Sequence, residues 1–322
     1  MIECLRAPPF MTVQDLGRTG MRSLGVPTSG AMVPEWLALA NLLVGNTARA
    51  AGLEWALGSG LLRLDRRAAI VAAGAALSVN GESLPAWTAI MAQAGDEIGL
   101  ELPELRFACL AISGGIDVPQ VLGARATYLV AGFGGFEGRR LRKGDRLPLG
   151  SVDFTPPDTV WTLPPHLLPR SRHDIRVVPG PQSEMFDESA WQALLGGSYR
   201  IASASDRMGY RLDGPPLRHF GPPSLPSEAV CPGAVQVPDG GAPIVLMPDG
   251  PTVGGYPKLA AVITADLGEF AQRAPGVGVE FSLVTFEEAV AALADQRARI
   301  RETARYFEVE EGRRGTKRVE EG

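Results

Sequence analysis

The chain has 322 residues, 45% of them apolar, and a formal net charge of -5. That length exceeds the commonest single-domain size and is enough for two apolar cores, while the negative balance removes the electrostatic case for a nucleic-acid or acidic-membrane partner. Three cysteines, Cys4, Cys109 and Cys231, are odd in number and far apart, which excludes a disulfide framework or a paired-cysteine metal site and points to a reducing cytoplasm.

The opening MIECLRAPPFMTVQDLG has no apolar segment flanked by basic residues, and no stretch reaches the length of a membrane span. The next stretch, TVQDLGRTGMRSLGVPTSGAM, is too broken by glycine for a helix. Its Gln14, Asp15, Arg18, Arg22 and Ser29 are candidate binding groups, since glycine admits a ligand to the backbone and arginine offers a fixed fork of donors. A long surface loop with solvated charges is the competing reading.

PEWLALANLLVG has helical spacing and is predicted as a helix. AAIVAAGAALSVNG, RFACLAISGG and ATYLVAGFGG are apolar runs bounded by turn residues and are predicted as strands, with a hairpin at Asn80-Gly81. AGDEIGL and KGDRLPLG read as further hairpin-like pieces. Residues 151–173 are rich in proline and lack periodicity, which marks a linker between residues 1–150 and 174–294.

Beyond the linker, DIRVVPG, APIVLMPDG, AAVITADLG and VEFSLVTF are predicted as strands, and SEMFDESAWQALLGG as a helix. SASDRMGYRLDG brings Arg207 and Arg211, which either face one site or pair on the surface. Its RMGYR echoes RTGMR at Arg18–Arg22, a weak sign of duplication. LPSEAVCPGAVQVPDGG carries Ser227, Glu228 and Gln236; a glutamate beside a strand is usually solvated, but near arginines it becomes a credible acid, base or orienting group. DGPTVGGYPK adds Tyr256 and Lys258 beside the flexible Gly254-Gly255 pair. Residues 295–322 are predicted as a charged helix followed by an unstructured mixed-charge tail.

No GxxxxGK[ST] loop, GxGxxG turn or GxSxG elbow occurs. His166, His173 and His219 have no second ligand at helical spacing, so no metal centre is expected.

In order, TVQDLGRTGMRSLGVPTSGAM, LALANLLVGN, GGIDVPQVLGARAT, GGFEGRRLRKGDRL, SDRMGYRLDG, SEAVCPGAVQVP and PIVLMPDGPTVGGYPKLAAVITADL resemble the biotin-dependent carboxyltransferase family of paired subdomains A and B. That family includes the C component of bacterial ATP-dependent 5-oxoprolinase, the second component of allophanate hydrolase, an antagonist of a sporulation kinase inhibitor, and a region of urea amidolyase. The resemblance implies a mainly β fold: two cyclophilin-like β-barrel domains with a few short helices. It implies a subunit of an ATP-dependent, amide-activating hydrolase that acts on a small amide or lactam. A kinase-inhibitor-like companion subunit would assist, with a third subunit for ring opening. The alternatives are carboxyl transfer to a urea-like amide from biotin carried on another chain, and a non-catalytic antagonist that binds a kinase-inhibitor-like protein.

Carried over by position, Arg207, Glu228 and Lys258 are the implied catalytic residues. Gln14, Asp15, Arg18, Ser29, Arg125, Arg211, Gln236, Gly254, Gly255 and Tyr256 are the implied substrate-binding ones. Asn41, Glu54, Ser227 and Asp249 match the family as well. Val33, Ala124, Ala126, Pro251 and Val253 depart from it, each replacing a polar group by an apolar one. If they line the site, they imply a diverged member with a less polar substrate or weakened activity.

Overall fold

The run AAIVAA forms the strand Ala68–Ala73, and all six residues are buried because both faces of its sheet meet apolar partners. Side chains alternate along a strand. Ala68, Ile70 and Ala72 join Met11, Leu53, Trp55 and Leu110 in one core, whereas Ala69, Val71 and Ala73 join Leu39, Ala40 and Leu43 of helix α1 (Pro34–Leu43) in another.

The computed structural model describes residues 1–151, 160–197, 199–220, 222 and 224–320, excluding the side chains of 308–320. Two compact units result: Met1–Gly17 with Pro34–Pro169 and Asp295–Gly322, and Arg18–Val33 with Arg170–Ala294. A division in chain order leaves Arg18–Val33 in the first half; its contacts are with the second unit.

The first unit contains two six-stranded sheets. One runs Arg146–Leu147, Ile2–Arg6, Gly60–Leu64, Glu97–Leu100, Leu77–Val79, Glu82–Leu84; the other runs Trp161–Thr162, Thr88–Ala92, Ala68–Ala73, Ala108–Ile112, Gly52–Ala56, Phe10–Gln14. Ile2, Cys4, Leu62 and Ile98 of the first sheet close the core opposite Trp55 and Ile70 of the second. The Asn80-Gly81 hairpin forms as expected. Both residues have left-handed φ, 50° and 87°, as a two-residue turn matched to strand twist requires.

Three expectations need correction. ATYLVAGFGG is a turn with one isolated bridge, Tyr128–Phe133, because Gly132, Gly134 and Gly135 all take positive φ and end any strand. The proline-rich stretch supplies an edge strand, Trp161–Thr162, and buries Leu163 and Leu167 against α1's core; residues 152–159 lie outside the described residues. The C-terminal backbone continues as helix to Glu320, so the mixed-charge segment extends the helix.

The second unit is a closed barrel of seven strands: Asp174–Pro179, Lys258–Val262, Ala234–Gln236, Ile244–Leu246, Gly209–Asp213, Tyr199–Ile201 and Gly278–Leu283. A parallel pairing of Asp174–Val177 with Glu280–Leu283 closes it. Tyr199, Tyr210, Phe270 and Phe281 fill it, and each buried phenol donates to a carbonyl, Tyr199 to Pro215 at 2.8 Å and Tyr210 to Ala271 at 2.7 Å. Helix α2 (Glu188–Gly196) starts at Asp187, whose carboxylate accepts from the Ala190 N–H, a side-chain N-cap. Helix α3 (Leu267–Ala271) contributes Phe270, and α4 (Phe286–Glu320) follows the last strand.

Candidate functional site

Lys258 opens a barrel strand, and its neighbour Ala234–Gln236 pairs with a break in register: Val235 faces Ala260, but Gln236 faces Lys258. Leu259 is therefore an extra residue, and such bulges re-aim the side chains beside them. The Lys258 side chain is only 4% exposed, and its ammonium lies 2.6 Å from Glu228 Oε1. Burying an ammonium is costly without a partner, so the carboxylate sets where this cation can stand. The Lys258 ammonium also donates to the Tyr256 carbonyl at 3.3 Å.

Glu228 sits on a two-stranded ribbon with Val253–Gly254, opposite Gly254. Hydrogen bonds from Lys258 and Gln182 hold its carboxyl below the usual carboxylate range. Gly254 and Gly255 are glycines for reasons internal to the chain. A Cβ on Gly254 would stand 2.7 Å from Gln236 Nε2, and one on Gly255 2.5 Å from the Leu225 carbonyl oxygen. Gln236 is 4% exposed, and its Nε2 has no hydrogen-bond partner among the described residues. A buried amide donor left this way costs about 1–3 kcal/mol, which a ligand oxygen would recover. Tyr256, by contrast, is 42% exposed.

Gln182, absent from the sequence-based set, belongs to this cluster. Its Nε2 donates to Glu228 Oε1 at 2.7 Å and its Oε1 accepts from the Lys258 N–H at 3.3 Å. The available signal was VVPGPQ, a strand ending in a Pro-Gly-Pro turn. Any side chain on Gly180 would collide with the Lys258 carbonyl, so that turn lies directly on Lys258.

The arginine motifs form a second cluster in the same unit. Arg207 binds Asp249 through Nε–Oδ2 at 2.8 Å and Nη2–Oδ1 at 3.1 Å, and Nη2 reaches the Gly30 carbonyl at 2.7 Å. These donors hold the Arg18–Val33 segment, at a residue to which the resemblance assigns catalysis. Ser29 takes φ 51° and its N–H donates to the Pro248 carbonyl; Arg18, 1% exposed, donates its N–H to Thr28. Arg22 Nη2 reaches the carbonyls of Val230 and Pro251 at the end of the Glu228 ribbon, and burial lowers its pKa. Arg211 does not join Arg207. It is exposed on a strand whose alternate residues Tyr210 and Leu212 fill the barrel.

In the first unit, Gln14, Asp15 and Arg125 form their own group. Asp15 accepts from the N–H groups of Gly17 at 2.8 Å and Arg125 at 2.6 Å; Arg125 Nε donates to the Val118 carbonyl and Nη2 to Asp117. Gln14 Nε2 donates to Thr12 Oγ1 and the Thr127 carbonyl, leaving its buried Oε1 without a partner among the described residues. Asn41 ties the end of α1 to Ala50 and Asn46, and Glu54 is wholly buried mid-sheet.

Of the five departures, two lie in the first unit and three in the second. Val33 is buried beside Gly268, Ala124 and Ala126 are buried in the first unit, Pro251 offers only its carbonyl to Arg22, and Val253 is 59% exposed on the Glu228 ribbon.

A cavity of about 420 Å³ also lies in the first unit, walled by Val118, Pro119, Val121, Phe133, Phe136 and the Gly132–Gly138 backbone. Its lining is largely apolar, and the charged residue on it, Glu137, is an anion that would repel a triphosphate.

Residues 24–283 match the model of the carboxyltransferase domain, subdomain A and B. The chain is 39% identical over 311 residues to the C component of 5-oxoprolinase from Escherichia coli (strain K12), covering 96% of this chain and 97% of that one. It is 34% identical over 292 residues to the same component of 5-oxoprolinase from Haemophilus influenzae. Urea amidolyase of Lachancea kluyveri is 31% identical over 87% of this chain, which spans 17% of that protein. Among solved structures, Kluyveromyces lactis urea carboxylase superposes with a TM-score of 0.87 at 28% identity, over 94% of this chain and 29% of that one.

Proposed function

We propose that this chain, which belongs to the carboxyltransferase domain family of subdomains A and B, is a subunit of an ATP-dependent 5-oxoprolinase-type hydrolase. Its relatives of matching length carry the name of the 5-oxoprolinase C component. A subunit implies partners, and the companion we propose is a kinase-inhibitor-like chain, with a third subunit that finishes ring opening in the cytoplasm. No described helix is long and apolar enough to cross a membrane.

The observation that carries this reading is the buried Lys258 ammonium against Glu228, beside the unpartnered Gln236 amide. A lactam is stabilised by resonance that places negative charge on its carbonyl oxygen, and that charge grows as the carbonyl is activated. A fixed cation and an amide donor aimed at such an oxygen favour the activated form, typically by about 3–4 kcal/mol per well-placed donor. Glu228 keeps the lysine in place, and Lys258 serves as a donor. Arg207, with Asp249, holds the 18–33 segment onto the same barrel.

ATP would make the lactam oxygen a leaving group. The apolar cavity of the first unit does not suit a triphosphate, and nucleotide binding is assigned to the assembly with the companion. The test is co-expression with the companion and ring-opening subunits, followed by an assay of ATP-dependent 5-oxoproline opening; an inactive complete assembly refutes the reading.

A second reading, carboxyl transfer from biotin to a urea nitrogen, draws on the likeness to urea amidolyase. The chain has no MKM biotin-attachment sequence, so biotin would arrive on another protein. Recovery of a biotinylated partner in a pull-down favours this reading; recovery of a kinase-inhibitor-like partner favours the first.

A further inference from the structure

We propose that Gln182 is the positioning residue of the Lys258 site, locking Glu228 onto the lysine so that the ammonium keeps one fixed direction. The inference rests on the reading of Lys258 as a donor to the substrate carbonyl. The pair is unequal: the Lys258 side chain is 4% exposed, whereas that of Glu228 is 44% exposed. A half-exposed carboxylate exchanges its protein partner for water at little cost, and ion pairs of exposed groups hold weakly. Something else must keep Glu228 turned inward.

Gln182 meets that need from a rigid base. Its backbone N–H donates to the Lys258 carbonyl at 3.3 Å, and its side-chain Oε1 accepts from the Lys258 N–H at 3.3 Å. The remaining amide nitrogen reaches Glu228 Oε1 at 2.7 Å, the same oxygen that receives the ammonium at 2.6 Å. Gln182, Lys258 and Glu228 thus close a ring of hydrogen bonds. Only an amide can complete it, because one end must accept from a backbone N–H while the other donates to a carboxylate. Leucine does neither, and an ionised glutamate accepts but repels Glu228.

Lysine reactivity reads this directly. The chain has three lysines, Lys143, Lys258 and Lys317, so trace acetylation of the folded full-length protein, quantified by mass spectrometry against Lys143, isolates Lys258. With the ring intact, Lys258 labels far more slowly than Lys143. Gln182→Leu frees Glu228 and leaves a buried amine without its partner, so Lys258 labelling at about pH 8 rises about tenfold. Glu228→Gln is the reference for full loss of the pair. Urea unfolding confirms that each variant is folded, and Gln182→Asn, which keeps the amide on a shorter arm, replaces Gln182→Leu if that variant is not.

Unchanged labelling in the Gln182 variants, with Glu228→Gln raised, overturns the proposal. Unchanged labelling in Glu228→Gln overturns it too, because the carboxylate would then not govern Lys258. The measurement needs no substrate, so an inactive assembly would refute the hydrolase reading while leaving this result standing.

Discussion

Arg207 and Asp249 are 42 positions apart and share two hydrogen bonds at 2.8 and 3.1 Å, with 7% and 3% of their side chains exposed. The same guanidinium holds the carbonyl of Gly30, so this pair decides where the 18–33 segment lies on the second barrel. Removing one partner strands the other charge away from water. Asp249→Ala and Arg207→Met are each expected to destabilise by about 3–5 kcal/mol, whereas exposed Arg211→Ala should change stability by no more than about 0.5 kcal/mol. Urea denaturation of the three variants checks this.

Gly254 and Gly255 are adjacent but not equivalent. At Gly255 a methyl group would meet the fixed Leu225 carbonyl at 2.5 Å; at Gly254 it would meet the end of the Gln236 side chain at 2.7 Å. Gly255→Ala is therefore expected to cost about 1–3 kcal/mol. Gly254→Ala should cost less stability yet displace Gln236 and weaken substrate binding. Urea midpoints and KM, measured together, separate the two effects.

Alkaline stability should follow Cys4, whose thiol burial pushes up from 9.0 to about 11. The unfolded chain loses this proton first. The folded state's advantage is therefore complete below the unfolded value and is lost as pH rises from about 9 to about 11, by about 3 kcal/mol at most. Cys4→Ala should unfold in less urea at neutral pH but lose less stability between neutral pH and about pH 10.5.

Glu228 gives the opposite sign at the acid end. Its folded-state pKa is depressed by Lys258 and Gln182, so the pair's stabilisation is present above the ordinary carboxylate range and is lost as pH falls through the depressed value. Glu228→Gln should flatten the acid limb of the stability profile, and Gln182→Leu should move it to higher pH.

Local pattern made most elements legible. The six-residue AAIVAA run, the Asn80-Gly81 turn and the spacing of PEWLALANLL each carry their own geometric instruction. ATYLVAGFGG misled because its apolar composition suits a strand while its glycines take positive φ. The RxGxR echo suggested two matching positions in two domains, yet Arg18–Arg22 and Arg207–Arg211 both belong to the second unit. The candidate site was legible as residue types at Glu228, Gln236 and Lys258, but not as a geometry. Nothing local at Gln182 announces a contact with Glu228, 46 positions away; a barrel bulge and the Gly180 approach create it. Likewise, the polar-to-apolar changes at Val33, Ala124 and Ala126 could be read from the sequence, but not that all three positions are buried, Val33 in the second unit and the alanines in the first.

The central claim is that the Lys258–Glu228 pair activates an amide, and 5-oxoproline opening by the complete assembly tests it most directly. Wild type should open 5-oxoproline only with ATP. Lys258→Met should cut kcat by about 10²–10³-fold, with the companion still bound and the urea midpoint at neutral pH nearly unchanged. Full turnover by Lys258→Met, or no turnover by the wild-type assembly, would contradict the account.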